Sequence, residues 1–202
     1  MGEPWAADLI PVSKTQSTHL DRVLRLEDGH DVTYTDGVGG FGEGRYERGQ
    51  VLRGREWKVE APSDLVVVSA PPDNRDRARF LVEKLSELGV AHLRFLQTRY
   101  GQGRPPREDR LRSWAASGLE QSRGAWLMRT SGEPITFADI VVPFSVCDQG
   151  GIRAIPPART VVIGPEGGWA EGEVPEDAMR VDLGATVLRV ETAAMVAAAR
   201  MI

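Results

Sequence analysis

The sequence predicts an α/β protein in two parts, a small β-rich N-terminal domain followed by a larger domain built on a parallel sheet. Two observations carry this. Up to residue 64 the chain offers short alternating runs separated by glycine: "HDVTYTDG" (30–37), "RYERGQVLRG" (45–54) and "EWKVEAP" (56–62). Such runs suit a small barrel or meander. Beyond residue 64, continuous apolar runs alternate with stretches of helical periodicity, the pattern of a parallel sheet with crossover helices.

Taken in order, "SDLVVVSAPP" (63–72) is an unbroken apolar run closed by Pro71-Pro72. It reads as a strand buried on both faces. In "DRARFLVEKLSELGV" (76–90), Ala78, Leu81, Val82, Leu85 and Leu88 recur at helical spacing, and Gly89 supplies the stop. "HLRFLQT" (92–98) is the next strand. "REDRLRSWAASGLEQS" (107–122) is a second helix with Leu111, Trp114, Ala115 and Leu119 on one face. "FSVCD", "TVVIG" and "MRVDLG" read as further strands, and "ETAAMVAAARMI" (191–202) as a terminal helix. The boundary falls near Ala61-Pro62, giving domains 1–62 and 63–202.

Composition narrows the chemistry. A formal net charge of −4 gives no bulk attraction to nucleic acid, so an RNA partner would be met by a local basic patch. The single cysteine, Cys147, rules out an internal disulfide, and the three histidines at 19, 30 and 92 have no ligand spacing, so no metal is expected. No run approaches 18 apolar residues, and the start, "MGEPWAADLIPV", lacks a signal-peptide pattern. A cytoplasmic protein without a membrane partner is expected.

"GVGGFG" (37–42) fits the dinucleotide spacing G-x-G-x-x-G, which would suit a nucleotide-dependent oxidoreductase. That motif needs a helix directly afterwards to hold the pyrophosphate. "EGRYERGQV" reads instead as a strand, so a glycine-rich hairpin is expected. "VVIGPEGGWAEGE" (161–173) is more informative. Its glycines follow a buried parallel strand, at the sheet edge where α/β proteins usually bind ligands. Glycine lets backbone approach a ligand closely, and Pro165 fixes one bend. A second glycine turn, "VDLGATVLRVETAAM" (181–195), places Arg189 just before the last helix. Thr192 suits an N-cap, with Glu191 favourable beside the helix's positive end. A cation such as Arg189 is misplaced there unless an anion or polar ligand lies near.

"IGPEGGWAEGE" together with "LGATVLRVETAA" resembles the ribosomal RNA small subunit methyltransferase E family, of the SPOUT class of knotted RNA methyltransferases. "HLDRVLRLEDGHDVTYTDGVGG" is similar to that family's N-terminal barrel, and "VEKLSELGV" and "LEQS" to its internal motifs. The resemblance runs from about His19 to Ile202. Val190 stands where the family usually has threonine. The fold implied is a PUA-like β-barrel followed by an α/β domain with a deep trefoil knot.

The activity implied is methylation of uridine N3 in 16S ribosomal RNA, with S-adenosyl-L-methionine as cofactor and the small ribosomal subunit or its RNA as partner. The alternative is a catalytically inactive RNA-binding or ribosome-assembly protein of the same fold. Three loops would wrap the cofactor: 147–151 with Cys147, Asp148 and Gly150; 163–168 with Ile163, Gly164, Glu166, Gly167 and Gly168; and 183–189 with Leu183, Gly184, Val187 and Leu188. The tightest backbone approach is expected at Gly167, and Glu166 either anchors its loop or lies at the ligand. Arg189 would stabilise charge on the uracil oxygens, and Glu191 is the candidate base. RNA contact is expected at His19, Arg22 and Arg25, and at Arg99, Arg104, Arg107, Arg110, Arg112 and Arg123, six arginines within residues 99–123. Tyr100 suits base stacking or packing equally. A homodimer is implied, with Ala193, Ala194, Ala197 and Ala198 as a small-residue face for helix approach.

Overall fold

The computed structural model describes residues 8–12, 20, 26–47 and 49–202, and the chain divides into two compact units, Met1–Glu60 and Ala61–Ile202. His19, Arg22 and Arg25 lie outside the described residues. No helix among the described residues is long and apolar enough to cross a membrane.

The first unit holds an antiparallel sheet of β1 (Leu9–Pro11), β2 (Asp31–Thr35), β3 (Gly40–Glu47) and β4 (Gln50–Lys58), in the order β1-β4-β3-β2. The "GVGGFG" segment is the β2–β3 hairpin. Asp36 Oδ1 accepts from the Val38 and Gly40 amides across the turn, and β3 follows at once. A strand after Gly42 leaves no helix to hold a pyrophosphate, which removes the oxidoreductase reading.

The second unit runs β5 (Val66–Ser69), α1 (Arg75–Glu87), β6 (His92–Leu96), α2 (Glu108–Ser122), β7 (Arg129–Ile135), β8 (Ser145–Arg153), β9 (Thr160–Ile163), β10 (Met179–Asp182) and α3 (Val190–Met201). All six strands are parallel, in the order β10-β8-β9-β5-β6-β7. Successive side chains of a strand point to opposite faces, and both faces here are covered. On one, Val67, Leu93, Phe95, Val161 and Ile163 cluster with Leu81, Leu85, Leu111 and Ala194 of the helices. On the other, Val68, Leu96, Val146 and Val162 meet Ile140, Phe144 and Val174. Full burial of each such valine, leucine, isoleucine or phenylalanine contributes roughly 1.5–3 kcal/mol.

Helix α1 begins at Asn74, whose side chain accepts from the Asp76 and Arg77 amides. It ends as expected at Gly89 (φ 79°), where the Gly89 and Val90 amides return to Ser86 and Leu85. That pairing is a Schellman closure. Strand β7 was not foreseen from sequence. It lies at the sheet edge, the position where a strand tolerates Gly132 and Pro134.

Helix α3 starts earlier than expected. Its N-cap is Arg189, through the backbone alone, so Thr192 sits inside the first turn. Ala194, Ala197 and Ala198 are fully buried in the chain's own core, where α3 packs on α1, β5 and β9. The small-residue face therefore serves internal packing. Val190 is likewise a core residue, 4% exposed.

Candidate functional site

Parallel pairing brings the C-terminal ends of the strands to one edge. The register sets Ser69 opposite both Phe95 and Ile163, and Ile163 opposite Cys147. The segments leaving these ends therefore emerge together. In the β8–β10 ladder, Arg180 pairs with Val146 but Val181 pairs with Ile152. Residues 147–151 are thus extra length pushed out of that ladder, a bulge rather than a free loop.

Arg77, in the first turn of α1, ties this edge together. Its Nε and Nη2 donate to Glu191 Oε1 (3.0 Å) and Oε2 (2.9 Å), its Nη1 pairs with Asp73 (3.1 Å), and Nη2 also bonds to Glu166. The one guanidinium thereby joins the segment after β5, the glycine loop after β9 and the start of α3. Sequence reasoning named Glu166 and Glu191 but missed their common partner. The signal was available: a cation in a helix's first turn is as misplaced as Arg189 beside α3. The Glu191 and Glu166 carboxylates raise the Arg77 pKa further above its ordinary value. Burial pushes the Glu191 carboxyl up, but the hydrogen bonds from Arg77 outweigh it and hold the group below the usual carboxylate value. A carboxylate so held is a weak base.

Other contacts brace the neighbouring loops. Glu173 accepts from the Arg99 amide (2.7 Å) and the Ala170 amide (2.8 Å), fastening the segment after β6 to the glycine loop. Trp169 donates its indole N–H to the Cys147 carbonyl at 3.3 Å. Asp148 pairs with Arg180 at 2.5 Å, and Asp182 accepts from the Gly184 amide at 2.8 Å. Tyr100 packs by Gly167, where an added Cβ would lie 3.1 Å from the Tyr100 Cβ.

The predicted site residues are sorted by this geometry. Ile163 and Leu183 are buried, Leu188 is half-buried, and Val187 is 76% exposed. Arg189 is exposed and makes no salt bridge among the described residues. The left-handed conformation belongs to Gly168 (φ 74°) rather than to Gly167. Gly168→Ala should therefore strain the loop by about 1–2 kcal/mol and lower the melting temperature by a few degrees. An unchanged thermal transition would contradict that geometry.

The arginines do not form one patch. Arg104, Arg107 and Arg110 flank the N-terminal end of α2, whereas Arg123 closes its far end in the left-handed conformation (φ 53°, ψ 37°). A 15-residue helix separates these ends by roughly 22 Å.

Burial pushes the Cys147 thiol up to about 12. The thiolate is the nucleophile, so iodoacetamide at pH 8 should leave the folded protein unmodified and alkylate it on unfolding. Rapid labelling of the folded chain, read by mass spectrometry, would contradict this.

Residues 59–202 match the family model described as an RNA methyltransferase domain. Ribosomal RNA small subunit methyltransferase E of Synechocystis sp. is 25% identical, the alignment covering 95% of this chain and 72% of that protein. The crystal structure of a ribosomal RNA small subunit methyltransferase E from Neisseria gonorrhoeae, bound to S-adenosyl methionine, superposes with a TM-score of 0.82 at 23% identity, covering 98% and 94% of the two chains. A Legionella pneumophila structure with bound SAM gives 0.82 at 22% identity, covering 98% and 93%. These likenesses show that the fold is shared along nearly the whole chain.

Proposed function

The chain belongs to the RNA methyltransferase domain family, as a relative of the ribosomal RNA small subunit methyltransferase E proteins, and on that premise we propose that it methylates uridine N3 in 16S ribosomal RNA. The observation that carries the reading is the convergence of residues 147–151, 164–168 and 183–189 on one sheet edge, where Arg77 clamps Glu166 of the second segment and Glu191 just after the third.

S-adenosyl-L-methionine, when bound, supplies an electrophilic methyl group on a sulfonium. The residues present fit such a ligand. At Gly150, Gly168 and Gly184 nothing lies within 4 Å of where a Cβ would stand, so backbone there is open to close approach. Leu183 and Leu188 offer apolar wall beside it, the mixture usual in small-molecule sites. Arg77 keeps the glycine loop and the start of α3 in register, which orients the reactants.

Uracil N3 is the nucleophile and carries a proton at neutral pH; that proton passes to solvent as the N–C bond forms and the methyl carbon's bond to sulfur breaks. Negative charge develops on the flanking carbonyl oxygens as the proton departs, ahead of the methyl group that neutralises it. Arg189, exposed at the mouth of α3, stabilises it. Glu191, held ionised by Arg77, serves as the anchor of that guanidinium better than as the base. In this reading the first unit is a PUA-like RNA-binding module, β10 and α3 form the knotted segment of the class, and the enzyme is a cytoplasmic homodimer. Sedimentation at micromolar concentration should give the dimer mass; a monomer would contradict that part.

The one sequence feature that favours the inactive-protein alternative is Val190, where the family usually has threonine. Its side chain is in the core, so a missing hydroxyl there changes packing rather than the open face. The test is transfer of label from radioactive S-adenosyl-L-methionine to small subunits from cells lacking the gene. Label in 16S RNA supports the proposal. Cofactor binding without any transfer supports the inactive protein.

A further inference from the structure

Beside the Arg77 cluster, at the N-terminal end of α1, lies a cavity of about 620 Å³. Arg75, Arg104, Arg107 and Arg110 line it, over a wall that includes Pro72 and Pro105. Arg107 is paired with Asp109 at 3.2 Å, whereas Arg75, Arg104 and Arg110 make no salt bridge among the described residues. The one lining carboxylate, Asp73, is already engaged by Arg77. A concavity of this charge inside a chain of net charge −4 selects for an anion. Its volume lies in the range of sites that hold drug-sized ligands and is ample for one nucleotide.

Its position gives the anion a context. Asp73 belongs both to this cavity and to the Arg77 cluster, so the two sites share a wall. The segment after β6 closes the cavity with Gly103 and touches the glycine loop with Tyr100. We infer that this cavity seats a nucleotide neighbouring the target in a single RNA strand, its phosphodiester on Arg75, Arg104 and Arg110 and its sugar against the prolines. The inference rests on the RNA methyltransferase reading and adds a subsite to it. Planar guanidinium forks suit phosphate oxygens bidentately. The fixed proline rings offer a surface that needs no ordering on binding.

The test uses the full-length protein and a short fluorescein-labelled single-stranded oligouridylate, read by anisotropy across a salt series. Arg75→Ala/Arg110→Ala should weaken binding at least tenfold and flatten the log–log salt slope by about 0.7 for each lost phosphate contact. Arg104→Ala should do so to a smaller extent. Arg159→Ala, which like Arg104→Ala removes one positive charge but from a pair with Asp64 elsewhere, is the charge control for the single variant and should leave the slope near wild type. All three arginines are exposed, so melting curves should match wild type. Unchanged affinity and slope in the folded double variant would overturn the inference, as would an equal loss in the Arg159 control. Methyl transfer by wild type is measured alongside: its absence would sink the parent reading, while anisotropy alone decides the cavity.

Discussion

Arg77→Ala is expected to lower the melting temperature by roughly 10 °C and to weaken S-adenosyl-L-methionine binding at least tenfold. Glu191 is 7% exposed, and truncation strands its carboxylate without a partner. Removing one member of a buried pair costs about 3–5 kcal/mol. Because the Arg77 side chain is 20% exposed, the lower end of that range applies. In a chain of this size each kcal/mol moves the transition by about 2–4 °C.

The pH dependence separates this from simple loss of packing. The folded Glu191 pKa lies below its ordinary 4.5. Its contribution is therefore complete above the unfolded value and fades as pH falls through the folded one. The stability gap between wild type and Arg77→Ala should be widest near neutrality and narrow in acid, where Glu191 takes up a proton. Arg77→Lys should recover part of the stability, since an ammonium keeps the charge but not the fork that spans both Glu191 oxygens. A gap that stays constant down to acid pH would show that the ion pairs are not its source.

Arg189→Ala should separate from Arg77→Ala in kind. It is expected to cut methyl transfer at saturating RNA and cofactor by about 10²–10³, the usual effect of losing one donor at a developing oxyanion. Melting temperature and cofactor affinity should stay near wild type. Arg189 caps α3 with its backbone only, the Ala193 amide returning to its carbonyl at 2.8 Å, so truncating the side chain removes no cap bond. Arg189→Lys should recover little. Single-turnover rates beside calorimetric titrations check this, and near-normal turnover in the folded alanine variant would end the catalytic role.

Much of this was legible in residue order, for identifiable reasons. The run Leu65–Ser69 predicts a strand covered on both sides, and every residue in it but Val66 is buried. Gly89 foretells the end of α1 because positive φ at that place has few other solutions. Glycine content also marked the sheet edge at which we propose that the ligand binds. It did not mark which glycine carries the strained conformation, since Gly167 and Gly168 are chemically identical and only the path of the loop distinguishes them.

What could not be read is what depends on long-range meeting. Arg77 lies 89 residues from Glu166 and 114 from Glu191, and its partners exist only once α1 has packed beside α3. The alanines of α3 look alike whether they face another copy or the chain's own sheet. The arginines from 99 to 123 are close in sequence, yet a straight helix carries Arg123 away from Arg110.

The central claim is uridine methylation in small-subunit RNA, and nucleoside mass spectrometry tests it most directly. Ribosomal RNA would be compared from the parent strain, a deletion strain, and the deletion strain with the gene restored as wild type or Arg189→Ala. The account predicts 3-methyluridine in 16S RNA of the parent and the wild-type complement, and its loss in the deletion strain. In the Arg189→Ala complement the signal should be strongly reduced. Undiminished 3-methyluridine in the deletion strain would contradict it.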